Sequence, residues 1–283
     1  MSTILITGAT GTIGALTARA LLGAGQIVRL GVRSPDKASL PGARAVRFDF
    51  DDPASMTAAL QGVDRLLLIT PFVEDHAPMV ARALDAARAA GVSFVLRLSA
   101  AGADPTATEG LPAKHGLGER LLHESGLGWA VLRPNFFVDN LWKFAADGIR
   151  SQGALFGAAG EGRTAYVAGS DIAAVAAAIL AAPDAHLGRT YTLTGPEALS
   201  EPELAALVSG AIGREVRYID LPPDALRQGM AGAPDWMIDD MLALEAVKAN
   251  GWAQAISPDV EAILGRPPAS AASAIAENAA RLA

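Results

Sequence analysis

The chain has 283 residues, of which 51% are hydrophobic and 19% charged, and its formal net charge is −7. This composition predicts a folded chain with a large core, and the acidic balance disfavours a nucleic-acid surface, which needs clustered Lys and Arg. Because cysteine is absent, disulfides, thiolate catalysis and thiolate metal sites are excluded.

Several features bear on targeting and metal binding. The N-terminal stretch does not have the pattern of a signal peptide, and the longest apolar run, IAAVAAAILAA at 172–182, is too short to cross a bilayer. The four histidines lack metal-ligand spacing. We therefore expect a cytoplasmic protein that uses no metal and has neither nucleic acid nor a membrane as a partner.

Short apolar runs alternate with helical patterns along the first half of the chain. Helical spacing is clear in Thr12 to Gly23, and also in PASMTAALQG, HAPMVARALDAARAAG and AKHGLGERLLHESG. The predicted strands are TILITG, IVRLGV, ARAVRFDF, DRLLLIT, VSFVLRLSA and GWAVLRP. This alternation predicts an α/β fold with a Rossmann-like, doubly wound parallel sheet.

After residue 150 the alternation of predicted strands and helices becomes less regular. A helix is predicted at GSDIAAVAAAILAAPD, strands at RTYTLTG and VRYIDLP, and a Ser-x-x-Glu capping box at Ser200 and Glu203. The segments from Asp224 to Asn250 and from Ser257 to Ala283 look mostly helical. We predict a Rossmann domain over residues 1–155 that returns at about 166–196, and a smaller, mostly helical C-terminal substrate domain over 197–283.

The motif TGATGTIG places three glycines directly after the first strand and at the start of a helix. Glycine lets the backbone turn tightly and approach a pyrophosphate, and the helix N-terminus supplies free N–H groups. A tight turn that binds nothing is the alternative, but the position within a βαβ unit favours a dinucleotide. The predicted contacts are Gly8, Thr10, Gly11, Thr12, Ile13 and Gly14.

The end of the second strand indicates which dinucleotide is bound. An NAD site usually has Asp or Glu there, whereas this chain has Arg33, in LGVRSPDK. A guanidinium can bind the 2′-phosphate with two hydrogen bonds, so NADP(H) is the predicted cofactor. An ordinary surface charge remains the alternative for Arg33, and Asp36 is either a ribose ligand or part of a helix start.

Further side chains follow the carboxyl ends of the strands, where open sheets bind ligands. Asp49 is a candidate for the adenine end of the cofactor, although it could instead cap the next helix. Ser99 ends the fifth strand. The other predicted cofactor contacts at these strand ends are Phe50, Thr70, Pro71 and Phe72.

With LRPNFFVDNL after the sixth strand, these motifs occur in an order that resembles the NmrA-like family of atypical short-chain dehydrogenases/reductases. The resemblance extends along nearly the whole chain and is nearest to NADPH quinone reductases and triphenylmethane reductases. It implies an NAD(P)H-dependent oxidoreductase with the nicotinamide near residues 70–72, Ser99 and the LRPNFF segment, which adds Pro134 to the cofactor contacts. Because some members are redox sensors, a non-catalytic NADP(H)-binding regulatory protein is the alternative.

Many nucleotide-binding reductases of this general build carry a tyrosine and a lysine four residues apart, where this chain has Leu111 and His115. A plain ketone needs an acid in the transition state, but a quinone spreads the charge and an iminium is neutralised by hydride. We therefore predict hydride transfer to a planar, electron-poor acceptor that is quinone-like, an enone or an iminium. His115 and Ser99 are the catalytic candidates, and a structural role is the alternative for each.

Aromatic residues after the sixth strand suggest a stacking wall for a small, apolar, planar substrate. Core packing is the alternative for some of them, and dimerisation through exposed helices is a further expectation. The predicted substrate contacts are Asn135, Phe136, Phe137 and Trp236.

Overall fold

The computed structural model describes residues 2–108 and 110–283. The chain divides into two compact units. The first comprises the residues up to Pro134 together with Ile172–Thr192, and the second comprises Asn135–Asp171 and Leu193–Ala283. The sequence-based bounds assign residues 135–155, and also about 166–171 and 193–196, to the first domain instead. As a division between cofactor and substrate domains they stay a prediction.

Strands and helices are numbered along the chain. The strands are β1 Thr3–Thr7, β2 Ile27–Val32, β3 Arg44–Arg47, β4 Arg65–Leu68, β5 Phe94–Leu98, β6 Gly128–Pro134, β7 Ala154–Gly157, β8 Arg163–Thr164, β9 Arg189–Leu193, β10 Leu199–Ser200 and β11 Arg217–Asp220. The α-helices are α1 Thr12–Gly23, α2 Pro53–Leu60, α3 Ala77–Ala89, α4 Gly110–Glu124, α5 Ala146–Gln152, α6 Gly169–Ala181, α7 Glu201–Ile212, α8 Pro223–Gly229, α9 Asp235–Ala249, α10 Asp259–Leu264 and α11 Ala271–Glu277.

The first unit is built on a seven-stranded sheet with the order β3-β2-β1-β4-β5-β6-β9. The pairs from β3 to β6 are all parallel. From β1, the next two strands along the chain, β2 and β3, lie on one side, whereas β4 pairs with the other side of β1. The strand order therefore reverses between β1 and β4, and the crevice at their carboxyl ends is where such sheets bind ligands.

Both faces of this sheet are buried. Leu5, Leu66 and Val95 share one core cluster with α2, α3 and α4, through residues such as Met56 and Leu84. The alternate strand residues Ile4, Ile6, Leu67 and Leu96 point to the opposite face and are fully buried as well. Apolar side chains on both faces explain why the strands read as continuous hydrophobic runs, and the predicted doubly wound fold is confirmed.

The second unit is mostly helical and has its own core, which includes Val138, Leu155, Leu204 and Ile275. It also contains two small sheets, a parallel pair of β7 and β11 and an antiparallel pair of β10 and β8. The predicted capping box at the start of α7 is present. The sequence did not predict β7, β8, β10 or the π-helical turn Leu141–Ala145, which are short and lack a clear period.

Candidate functional site

The turn between β1 and α1 depends on its glycines. Gly8 has φ 60°, and its carbonyl accepts from the N–H of Gly11 at 2.9 Å. A Cβ on Gly14 would lie 2.8 Å from Cα of Ala9 and 2.9 Å from the carbonyl carbon of Gly8. Such contacts are too close for any side chain, so glycine is what lets the helix start lie against the turn.

The start of α1 fits a pyrophosphate. Gly11 is the N-cap and offers no side-chain cap, and the first turn has no acidic residue. In an α-helix the first N–H groups, here those of Thr12, Ile13 and Gly14, have no helical acceptor. Thr10 and Gly11 are exposed, whereas the Ile13 side chain is buried and leaves only its backbone for a ligand. Free N–H groups at a helix N-terminus are a suitable site for a phosphate anion.

Arg33 directly follows β2 and is exposed. Within the described part of the chain its guanidinium has neither an ion pair nor a hydrogen bond, so both of its edges are available to a phosphate. Asp36 lies in the first turn of the short 3₁₀ helix Pro35–Lys37, which agrees with the helix-start alternative.

The other strand ends surround the same carboxyl edge. The side chain of Asp52, not Asp49, caps α2 by accepting from Ser55 N at 3.2 Å, so the capping alternative for Asp49 is wrong. Asp49 is partly exposed, as is Phe50. Thr70 is half-buried, whereas Pro71 and Phe72 are exposed, and Pro134 is buried with its carbonyl accepting from Ala101 N at 2.9 Å.

Ser99 is part of a buried hydrogen-bond network rather than an open hydroxyl. Its Oγ donates to Glu119 Oε1 at 2.5 Å, and Glu119 is 1% exposed. Arg133 binds the same carboxylate through Nε at 2.9 Å and Nη2 at 2.5 Å. The hydrogen bond from Arg133 to Glu119 raises the pKa of this arginine. The network ties α4 to β5 and β6.

His115 lies beside this network in a cluster of buried nitrogen groups. Its ring centre is 5.1 Å from that of His76, and Arg97 Nη2 is 3.0 Å from His76 Nε2. Burial, and then the charge of Arg97, lower the pKa of His115 to about 3 and that of His76 to about 4. Burial also lowers the pKa of Arg97 to about 10, so the guanidinium stays charged while both imidazoles are neutral near pH 7.

The predicted substrate residues all lie in the second unit. Asn135 is buried and its Nδ2 donates to Ala253 O at 2.8 Å. Phe136 is half-buried, with Lys248 Nζ 4.9 Å from its ring centre, and Phe137 forms a backbone bridge to Val167. Trp236 is half-buried on α9.

A sequence model of the NmrA-like family matches residues 1–264. The chain belongs to the NmrA-like family. A relative from Xenophilus azovorans, an NAD(P)H azoreductase, is 35% identical over 269 residues, covering 93% of each chain. The family assignment made from the motifs is thereby confirmed.

Two solved structures of similar proteins extend this comparison. An NADPH-dependent quinone oxidoreductase from Escherichia coli, complexed with NADPH, is 31% identical, with a TM-score of 0.85 and 99% of both chains covered. The triphenylmethane reductase of Citrobacter sp., complexed with NADP(H), is 26% identical, with a TM-score of 0.84, covering 98% of this chain and 99% of the other. Both kinds of reductase were named by the sequence resemblance.

This NmrA-like chain also contains a buried network that the sequence did not predict. Tyr166 donates to Glu201, and Lys248 Nζ lies 2.9 Å from Glu201 Oε1 and 2.9 Å from Glu245 Oε1. Burial raises the pKa of Tyr166. Burial lowers the pKa of Lys248, but its anionic neighbours outweigh this effect and the net shift is upward. The members come from distant parts of the sequence, so no local motif shows them.

Arg97 was also missed, although the sequence carries a signal for it. A charged residue inside the apolar run VLRLS of a strand buried on both faces requires a buried partner or a function.

Across the described residues, no group of three or more His, Cys, Asp and Glu side chains could hold a metal ion. In the same residues we find no helix with the length and apolar character needed to span a membrane.

Proposed function

We propose that this protein uses NADPH to reduce a planar, electron-poor acceptor that is quinone-like, an enone or an iminium, and that it does so without a tyrosine–lysine pair. As a member of its family it is an NAD(P)H-dependent oxidoreductase that uses NADP(H). The acceptor class is the part that the proposal adds.

The cofactor would be held by backbone and by charge. The first N–H groups of α1 bind the pyrophosphate, and Arg33 binds the 2′-phosphate that distinguishes NADPH from NADH. Asp49 and Phe50 are at the adenine end, and Thr70 to Phe72 with Pro134 are at the nicotinamide end. Bound NADPH supplies a hydride, and the protein supplies its orientation.

The environment of His115 is the observation that supports the acceptor class. It occupies the place of the lysine, with Leu111 in the place of the tyrosine. A neutral imidazole beside a buried guanidinium is a poor acid but a good hydrogen-bond donor or acceptor. Ser99 is already bound to Glu119 and has no hydroxyl proton to spare. These groups can orient an acceptor but are poorly suited to protonating a ketone, which favours acceptors that need no strong acid.

The proposal assigns the substrate wall to Asn135, Phe136, Phe137 and Trp236, and the substrate is small, apolar and planar. We also propose that the protein forms a homodimer, and size-exclusion chromatography with light scattering tests this. We further propose a cytoplasmic location, and cell fractionation tests it.

The first experiment follows the loss of NADPH absorbance with a panel of quinones, enones, cyclic imines and a cationic dye, beside a titration with NADPH alone. We expect oxidation with at least one planar class and none with simple ketones. Turnover of simple ketones would overturn the acceptor assignment. Tight NADPH binding without oxidation of any panel member would favour the regulatory alternative.

A second experiment compares His115→Ala with His123→Ala, which lies on the same helix and is exposed. Loss of one hydrogen bond, about 1.4 kcal/mol, predicts about tenfold lower kcat for His115→Ala with an unchanged Kd for NADPH. The His123→Ala control should keep the wild-type rate. Equal rates for the two variants would return His115 to a structural role.

A further inference from the structure

Arg97 is a buried cation without a carboxylate ligand. It lies within β5, is 0% exposed, and makes one hydrogen bond, from Nη2 to His76 Nε2. Within the described residues its Nε and Nη1 have no partner. Glu119, a carboxylate close enough to raise the pKa of Arg97, is already bound by Arg133 and Ser99. A guanidinium so placed requires acceptors for its remaining N–H groups.

The bond to His76 fixes the protonation of that ring. Arginine only donates hydrogen bonds, so Nε2 of His76 must be the acceptor, and the ring is neutral with its proton on Nδ1. A backbone hydrogen bond with Lys114 also acts on this ring and raises its pKa, though less than burial and Arg97 lower it. The guanidinium therefore already determines the tautomer of one imidazole.

His115 has an unpaired ring nitrogen in the same buried cluster. Its Nδ1 is buried and has no hydrogen-bond partner within the described chain. Gly118, three residues further along α4 and so on the same face, packs so closely on Arg97 that a Cβ there would lie 2.6 Å from Cζ. The guanidinium thus packs against the face of α4 that carries His115, and its charge acts on that ring. Within the described residues, two of its nitrogens and the Nδ1 of His115 each lack a hydrogen-bond partner.

We propose that Arg97 is a positioning residue for His115, and that its guanidinium fixes this imidazole as the neutral tautomer with the proton on Nε2. Nε2–H then becomes a hydrogen-bond donor with one set orientation. The catalytic meaning of this arrangement rests on the proposed reductase function, but the tautomer itself does not.

The surrounding charges support this assignment. Within residues 2–108 and 110–283, the charged or titratable groups that act on His115 are Arg97 on β5, His76 at the start of α3 and Lys114 on its own helix, and each of them disfavours a protonated ring. Glu119, one turn further along α4, is neutralised by Arg133. Among the residues that the structure describes, no other carboxylate acts on His115 to stabilise an imidazolium.

The test is a nitrogen NMR measurement on the histidine side chains of the full, unmodified chain. Only four histidines are present, so a His115→Gln variant identifies the signals of His115. We expect Nδ1 of His115 to carry the lone pair, Nε2 to carry the proton, and neither to titrate between about pH 5 and 8, the usual range for histidine. A proton on Nδ1, or an ordinary titration in that range, would overturn the proposal.

Substitution of Arg97 separates its charge from its hydrogen bond. Arg97→Met removes both, so the His115 tautomers should mix and its titration midpoint should rise by about 1 pH unit or more. Arg97→Gln keeps a neutral donor, so the midpoint should rise while the tautomer is retained. Arg88→Met, on the exposed face of α3, is the control and should leave His115 unchanged. Unchanged His115 spectra in a folded Arg97→Met would refute the positioning role.

These outcomes are independent of the acceptor. If no panel compound oxidises NADPH, the reductase proposal fails while the tautomer assignment can still hold. If the tautomer is wrong, NADPH oxidation can still be observed. Should the Arg97 variants fail to fold, the wild-type spectrum alone decides the assignment.

Discussion

Two glycines of α1 allow a direct test of the close approach at the cofactor turn. A Cβ at Gly14 would meet Ala9 Cα at 2.8 Å, which is 0.6 Å short of the 3.4 Å at which ordinary contact begins, and would lie closer still to Gly8 O. A Cβ at Gly23, at the other end of the helix, would meet nothing within 4 Å. Neither glycine has a positive φ, so the backbone accepts alanine at both positions. Comparing the two alanine variants therefore separates the steric contact at Gly14 from the general effect of removing a helical glycine.

Overpacking of a buried site costs about 1–3 kcal/mol. Replacing a helical glycine by alanine stabilises the folded protein by about 1 kcal/mol or less, because alanine loses less backbone entropy on folding. We therefore expect Gly14→Ala to be about 1–3 kcal/mol less stable than Gly23→Ala in urea unfolding. Because the obstructing atoms are backbone, the turn itself must shift, and Gly14→Ala should also bind NADPH more weakly in a titration. Equal stability and equal affinity for the two variants would refute the close-approach argument.

Three further perturbations have defined outcomes. Arg33→Ala should weaken the binding of NADPH by about 10- to 150-fold, because a hydrogen bond to a charged group contributes about 1.5–3 kcal/mol, and should leave the binding of NADH nearly unchanged. Equal losses of affinity in the two titrations would contradict the 2′-phosphate role. His76 has a folded pKa of about 4, below its ordinary 6.5, so its contribution to stability is complete above pH 6.5 and falls by about 1.4 kcal/mol per unit as pH drops toward 4. His115 keeps its own slope in His76→Gln, so urea unfolding should show a pH dependence that is smaller by about 1.4 kcal/mol per unit in this variant than in wild type, and equal slopes would contradict the role of His76. Tyr166→Phe leaves the buried Glu201 with one donor fewer and should cost about 1–3 kcal/mol, whereas an unchanged urea midpoint would show that Lys248 alone satisfies the carboxylate.

The parallel sheet was predictable because its signals are local and repeated. Continuous apolar strands, helices of regular period and a glycine turn between them determine the order of the first unit. The prediction failed where the elements are short, as at the two-residue strands β8 and β10. Their pairing partners come from distant positions, and two residues carry too little pattern to show it.

The candidate site divides in the same way. Gly8, Gly14 and Arg33 could be found because backbone geometry and one charge suffice to specify a dinucleotide site. The Arg97 cluster could not be assembled, since His76, Arg97 and His115 meet only when α3, β5 and α4 pack together. An arginine in an apolar strand signals that a partner exists, but the sequence alone does not tell which.

The charge pattern of the first unit also ranks the acceptors. Arg133 neutralises Glu119, whereas Arg97 keeps a full positive charge beside two neutral imidazoles, so the cluster is net cationic. Reduction of a quinone or enone develops negative charge on oxygen, and a fixed cation stabilises it. Reduction of an iminium removes a positive charge, and the same cation destabilises that bound substrate. At about 8 Å and an effective dielectric constant of about 20, each effect is about 2 kcal/mol. If the acceptor binds near α4, quinones and enones should therefore exceed iminium ions in kcat/KM, and the reverse order would place the acceptor away from this helix.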